Sequence, residues 1–107
     1  MGADAAAGRA RVVAYVPDLM DRSRLTGIEG LVFVRSPTDL AAVDADVAVV
    51  DLSRPGVLDA LGAARAVRVI GFGSHVDREL LDAARAAGCH EVMPRSAFFA
   101  QARQLLA

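Results

Sequence analysis

Tryptophan is absent, aromatic residues make up only 5% of the chain, and cysteine occurs once. A single thiol, Cys89, excludes an intrachain disulfide framework and a multi-cysteine zinc site. With so few large rings, an interior drawn from the 54% of apolar residues must be filled by Ala, Val and Leu, which suits slim helices laid on a small sheet. No apolar run approaches the roughly 18–20 residues that a membrane-spanning helix needs. The N-terminus lacks the charged-then-apolar pattern of a secretion signal. Gly2 opens like a myristoylation site, but that motif wants Ser or Thr at the sixth position, where Ala6 stands. Excess charge is missing as well. The 12 basic and 13 acidic residues leave a formal charge of −1, which argues against a nucleic acid or a membrane surface as the main partner. These absences lead to the expectation of a cytoplasmic protein, and 107 residues allow one domain.

What is present is organised by period. Residues 1–10, MGADAAAGRA, carry no pattern that can be buried and read as a flexible leader, with the domain over 11–107. Five short β-branched runs follow, at 11–16, 31–34, 46–52, 67–73 and 91–93, and segments with helical spacing lie between them. The first helical segment must fit between Asp18 and about Gly27 and is short. Ser36-Pro37-Thr38-Asp39 has the form of a capped helix start. Pro55 opens a third segment, and Ser74-His75-Val76-Asp77 a fourth, which Gly88 stops. After Ser96, the residues Phe98, Phe99, Ala102, Leu105 and Leu106 form a last amphipathic helix. Strands that alternate with helices predict right-handed crossovers and a parallel sheet with helices on both faces. The expected fold is a flavodoxin-like (βα)5 three-layer sandwich with strand order 2-1-3-4-5. Chemistry in such sheets sits at the carboxyl ends of the strands, near the switch point of the strand order.

At those ends stand Asp51, Ser74 and Arg95: an acid, a hydroxyl and a cation. Together they suit phosphoryl chemistry, in which the carboxylate attacks, the hydroxyl bonds a phosphoryl oxygen and the cation offsets its charge. VAVVDLSRPG (47–56), VIGFGS (69–74) and VMPRSAFF (92–99) resemble the receiver domain of bacterial response regulators. The resemblance runs from about Arg11 to the end. It implies that Asp51 is the phosphoacceptor, with Pro55 four residues on, and that Ser74 and Arg95 stand where the family has Ser or Thr and Lys. The stretch from Asp51 to Ser74 is shorter than in the family, so the third helix or its loops should be trimmed. The acidic pair that holds Mg²⁺ at the end of the family's first strand is replaced by Val16-Pro17. Only Asp18 is left nearby as a candidate ligand beside Asp51, and Val and Pro side chains offer Mg²⁺ no oxygen. Arg95 for Lys also replaces a flexible point charge by a planar fork. The chain is therefore similar to the atypical, pseudo-receiver members, which act as protein-interaction modules.

Several of these residues have a second reading. Asp18 reads as a helix cap or a metal ligand, and Ser74 as the start of a capping box ending in Asp77 or as a phosphoryl contact. Arg95 is expected to bridge Asp51 permanently, freezing the switch in its neutralised state. His75, His90 and Cys89 lack the count and spacing of a zinc site. Gly71-Phe72-Gly73 has Val76 where a dinucleotide fingerprint needs its third glycine. Phe98, Phe99 and Arg103 mark a candidate interaction surface on the last helix. The expectation is a non-enzymatic, single-domain, receiver-like signalling protein without a cofactor. It would act on another signalling protein or on itself, as a homodimer, with no output domain of its own. Two alternatives stay open. One is a stand-alone response regulator phosphorylated at Asp51 by a histidine kinase with Mg²⁺, and the other is a small-ligand-binding α/β domain.

Overall fold

The computed structural model describes residues 8–107, so most of the expected leader lies outside the described residues. Five parallel strands form one sheet in the order β2-β1-β3-β4-β5, as the sequence pattern predicts: β1 (Arg9–Tyr15), β2 (Leu31–Phe33), β3 (Asp44–Asp51), β4 (Ala66–Gly73) and β5 (Glu91–Pro94). The arrangement is a flavodoxin-like α/β fold. The four α-helices are α1 (Leu19–Ser23), α2 (Val57–Leu61), α3 (Arg78–Ala87) and α4 (Arg95–Leu105). Strand boundaries differ from expectation by one residue at several ends and by two at the starts of β1 and β3. Arg9 and Ala10 belong to β1 rather than to the leader, because they pair with Asp44 and Ala45 at the start of a longer β3. That early start of β3 leaves little room before it. Pro37–Ala41 therefore forms a 3₁₀ helix, closed by bonds such as Asp39 N–H to Ser36 O and Ala42 N–H to Asp39 O. Its Ser36/Asp39 capping box is present as read.

Alternation along the central strands sorts their side chains onto two faces. Val12, Ala14, Val16, Val49, Ile70 and Phe72 pack with Leu25 and with Phe98, Ala102 and Leu106 near α4. Val13, Tyr15, Ala48, Val50 and Val69 pack with Leu40 of the 3₁₀ helix, Val57 and Leu61 of α2, and Ala84 of α3. The few aromatic rings are concentrated on the first face. Phe72 stacks on Phe98 with centroids 5.0 Å apart, and Phe99 stands edge-on to both. Phe98 is fully buried, so it belongs to the core and not to the interaction surface expected for it. The trimmed third crossover is also as read, since α2 has only five residues.

Gly88 stops α3 at φ +125°, a conformation that side chains with a Cβ rarely adopt. Gly71 has a different role, a close approach. A Cβ there would lie 2.8 Å from Leu52 Cδ2 and 2.9 Å from Cys89 Sγ. This packing explains the glycine that resembled part of a nucleotide fingerprint. The buried Cys89 thiol is pushed up to about 11 by desolvation.

Two predictions follow from this packing. Gly71→Ala should destabilise the fold by about 1–3 kcal/mol in urea unfolding through overpacking, and Leu52→Ala combined with it should cost less than the sum of the two. For Cys89, the folded state holds its proton to higher pH than the unfolded chain. Its contribution to stability should be complete below about pH 9 and decline as pH rises from 9.0 towards about 11. Cys89→Ala should flatten that decline in equilibrium unfolding at stepped pH.

Candidate functional site at the carboxyl edge of the sheet

β3 delivers Asp51 to the carboxyl edge. Its side chain is almost entirely shielded from water, and the chain turns immediately after it. The turn supplies its own donors. Asp51 Oδ1 accepts from Ser53 N–H at 3.0 Å and from the Ser53 hydroxyl at 2.7 Å, while Oδ2 accepts a longer bond from Arg54 Nε at 3.4 Å. Both carboxylate oxygens thus find partners within three residues. The turn residues Ser53 and Arg54, but not Asp51 itself, line a cleft of about 520 Å³ together with Asp59 and Asp77.

At the end of β1, Asp18 caps α1: its Oδ1 accepts from the N–H groups of Met20 and Asp21, at 2.9 and 3.1 Å. The cap reading of Asp18 is the one the geometry fits. The unexpected member is Asp21. It and Asp51 are the buried charged residues of the described chain, with Asp21 only 2% exposed. Arg95 Nη2, at the first turn of α4, donates to Asp21 Oδ1. The expected Arg95–Asp51 bridge is therefore corrected: Arg95 bonds Asp21, and Asp51 bonds Arg54 and Ser53. The reason is positional. Asp51 is satisfied by its own turn, whereas buried Asp21 has no donor in its own helix. Arg95 still feels the whole edge. Its guanidinium is held more firmly protonated than usual, first by the hydrogen bond to Asp21 and then by the charges of Asp21, Asp51 and Asp18, against the opposing effect of burial. It also lies over the rings of Phe72 and Phe99, 5.8 and 5.3 Å from their centroids.

Ser74 departs from its capping reading. Asp77 is the residue that caps α3, accepting from Leu80 N–H at 3.1 Å, while Ser74 Oγ accepts a 3.4 Å bond from Val76 N–H in the preceding turn. Ser74 is exposed. The His75, His90 and Cys89 set does not assemble. His90 Nδ1 accepts from Val69 N–H at 2.9 Å, and Cys89 is buried beside Gly71. No group of three or more His, Cys, Asp or Glu side chains able to hold a metal gathers among the described residues.

The residues present do not fit a Mg²⁺ site. Val16 and Pro17 carry no side-chain oxygen, and Asp18 is turned to the α1 backbone. Asp21 is neutralised by Arg95, and Asp51 by its turn and Arg54. A divalent cation here would have to displace two arginines. No signal in the sequence marked Asp21, because an acid in the first turn of a helix is what the helix dipole favours anywhere. Only the sheet order brings it to a residue 74 positions away.

The pair is asymmetric, and this makes it testable. The Asp21 side chain is 3% exposed and that of Arg95 45%. Removing the cation strands a buried charge, whereas removing the acid leaves a cation that reaches water. Arg95→Met should cost about 3–5 kcal/mol in urea unfolding. Asp21→Asn should cost clearly less, and the double variant less than Arg95→Met alone.

No family model, no curated protein and no solved structure matches this chain, so the functional reading rests on the geometry of its own residues.

Proposed function

We propose that this protein is a receiver-like, non-enzymatic interaction module, a cytoplasmic signalling component whose phosphorylation pocket is closed by internal bonds. The observation that carries the reading is that both buried carboxylates of the edge are already engaged, Asp21 by Arg95 and Asp51 by Ser53 and Arg54. A phosphoacceptor needs a carboxylate oxygen free to attack and a cation that neutralises the arriving phosphoryl group. Here the cations sit on the carboxylates themselves. The edge is held in one charge state, and the molecule would exert its effect by binding another signalling protein or a second copy. Apart from its fold, the likeness to receivers rests on the residues at 47–56, 69–74 and 92–99.

A second reading is a stand-alone regulator phosphorylated at Asp51 by a histidine kinase. It is favoured by one observation, the place of Asp51 at the carboxyl end of the central strand, where Ser53 and Arg54 of its turn line an open cleft. Incubation with acetyl phosphate or beryllofluoride and Mg²⁺ separates the two. The interaction reading expects no hydroxylamine-sensitive phosphoryl mass by intact-mass analysis and no change in thermal stability. A label that disappears in Asp51→Asn would establish the second reading instead.

A further inference from the structure

All twelve basic residues of the chain are arginines, and ten of them divide by what they bond. Five pair with carboxylates around β3, β4, β5, α2 and α3: Arg9 with Asp46, Arg54 with Asp51, Arg65 with Asp44, Arg68 with Glu91 and Arg85 with Asp82. Arg95 pairs with Asp21. On the side of α1 and α4 the pattern changes. Arg11 donates twice to Glu29 O, Arg22 donates to Val16 O at 2.8 Å, and Arg103 donates to Thr26 O at 2.9 Å. Arg24 lies over the Phe99 ring, 4.5 Å from its centroid. None of these four has a carboxylate partner among the described residues. A carbonyl or a ring face satisfies an N–H without cancelling the charge, and each guanidinium keeps further donors free.

Arg22 lies apart, over the Phe33 ring, while Arg11, Arg24 and Arg103 follow one another along one side. Arg103 follows Phe99 by one turn on α4, so both share a face. Arg103 and Arg11 line one open cleft together with Gly27, Ile28 and Glu29. Glu29 is the one acidic side chain in that cleft, which Leu106 and Ala107 also line. Arg24 closes α1, and Met20 stands four residues before it on the same side. Met20 is 79% exposed and its neighbour Leu19 is 76% exposed, two of the four large apolar side chains that stand in water among the described residues.

We propose that this stripe, Leu19, Met20, Arg24, Phe99, Arg103 and Arg11, is a docking surface for an acidic segment of another protein that carries apolar side chains among its carboxylates. The proposal deepens the interaction reading and rests on it. Guanidiniums preset on carbonyls and rings offer bidentate donors to incoming carboxylates, and Leu19 and Met20 offer apolar contact that a phosphodiester backbone would leave unused. A second copy is a poor fit. The chain's own acids are mostly engaged, since Asp44, Asp46, Asp51, Asp82 and Glu91 pair with arginines while Asp18, Asp39 and Asp77 cap helices.

The test is fluorescence anisotropy with a fluorescein-labelled synthetic peptide in which leucines alternate with pairs of glutamates. Saturable binding is expected, about tenfold weaker for the glutamine analogue and weakened further at about 0.5 M salt. R24E/R103E should lose about tenfold in affinity while R65Q/R85Q keeps it. R24Q, which removes only a ring contact, guards against a folding defect and should weaken binding measurably with an unchanged circular dichroism melt. Four outcomes overturn the proposal: no saturable binding, equal binding by R24E/R103E, tighter binding to duplex DNA than to the peptide, or self-association that R24E/R103E abolishes. Failure here leaves the acetyl phosphate result intact, so the two readings fall separately.

Discussion

A carboxylate almost without access to water, Asp21, is held by the first residue of the last helix, Arg95, and the character of the carboxyl edge follows from that bond. Burying a carboxylate is costly unless a cation and further donors compensate. The compensation comes from a cation placed where the local rules disfavour it. Arg95 begins α4, whose N-terminus carries partial positive charge and has no side-chain cap. Two unfavourable placements, a buried acid in α1 and a cation at the start of α4, become acceptable only together. Local violations of this kind are expected at functional or strained sites.

The aromatic cluster beneath this bond gives it a fixed floor. Phe72 brings its ring from β4, Phe98 stacks on it from α4, and Phe99 turns outward at the next position. Arg95 and Arg24 approach the Phe99 ring at 5.3 and 4.5 Å. One half-buried ring therefore couples the buried ion pair to the exposed arginines of the α1 side. In a chain with four phenylalanines and no tryptophan, three of the four are gathered at this point. The remaining interior is mostly Ala, Val and Leu, with glycine at 71 where the Leu52 and Cys89 side chains meet the strand.

How much of this could be read from residues alone depends on the range of the interaction. The five strands, their order and most caps were legible, because periodicity and capping are encoded within a few residues. Asp18 as a cap, the Ser36/Asp39 box and the short third helix all belong to that class. The Arg95 partner was not legible. Asp51 was the apparent counter-ion, but its turn donors, Ser53 and Arg54, lie two and three residues away and satisfy it first. Ser74 was misread for a similar reason, since Asp77 competes with it for the same helix start and wins by lying directly before it. Phe98 and Phe99 differ by one position and take opposite roles, and only the packing of α4 on β4 decides which ring is buried.

The two halves of the edge have different chemical freedom. At Asp51 the donors are local and short-ranged, so that carboxylate would change its surroundings only if its turn rearranged. Asp21 and Arg95 instead link elements far apart in sequence, and Arg95 is also pulled by the charges of Asp51 and Asp18. An arginine with an exposed side, two ring contacts and three nearby acids has alternative positions within reach, whereas Asp21 has one neutralising partner. A movement of Arg95 is thus the rearrangement that involves more than one element, and Phe99 and Arg24 stand next to it through the shared ring contact. The proposed interaction role needs no covalent chemistry for this. A binder that engaged Arg24 would alter the packing of the same ring that supports Arg95, and the buried carboxylate would resist the change.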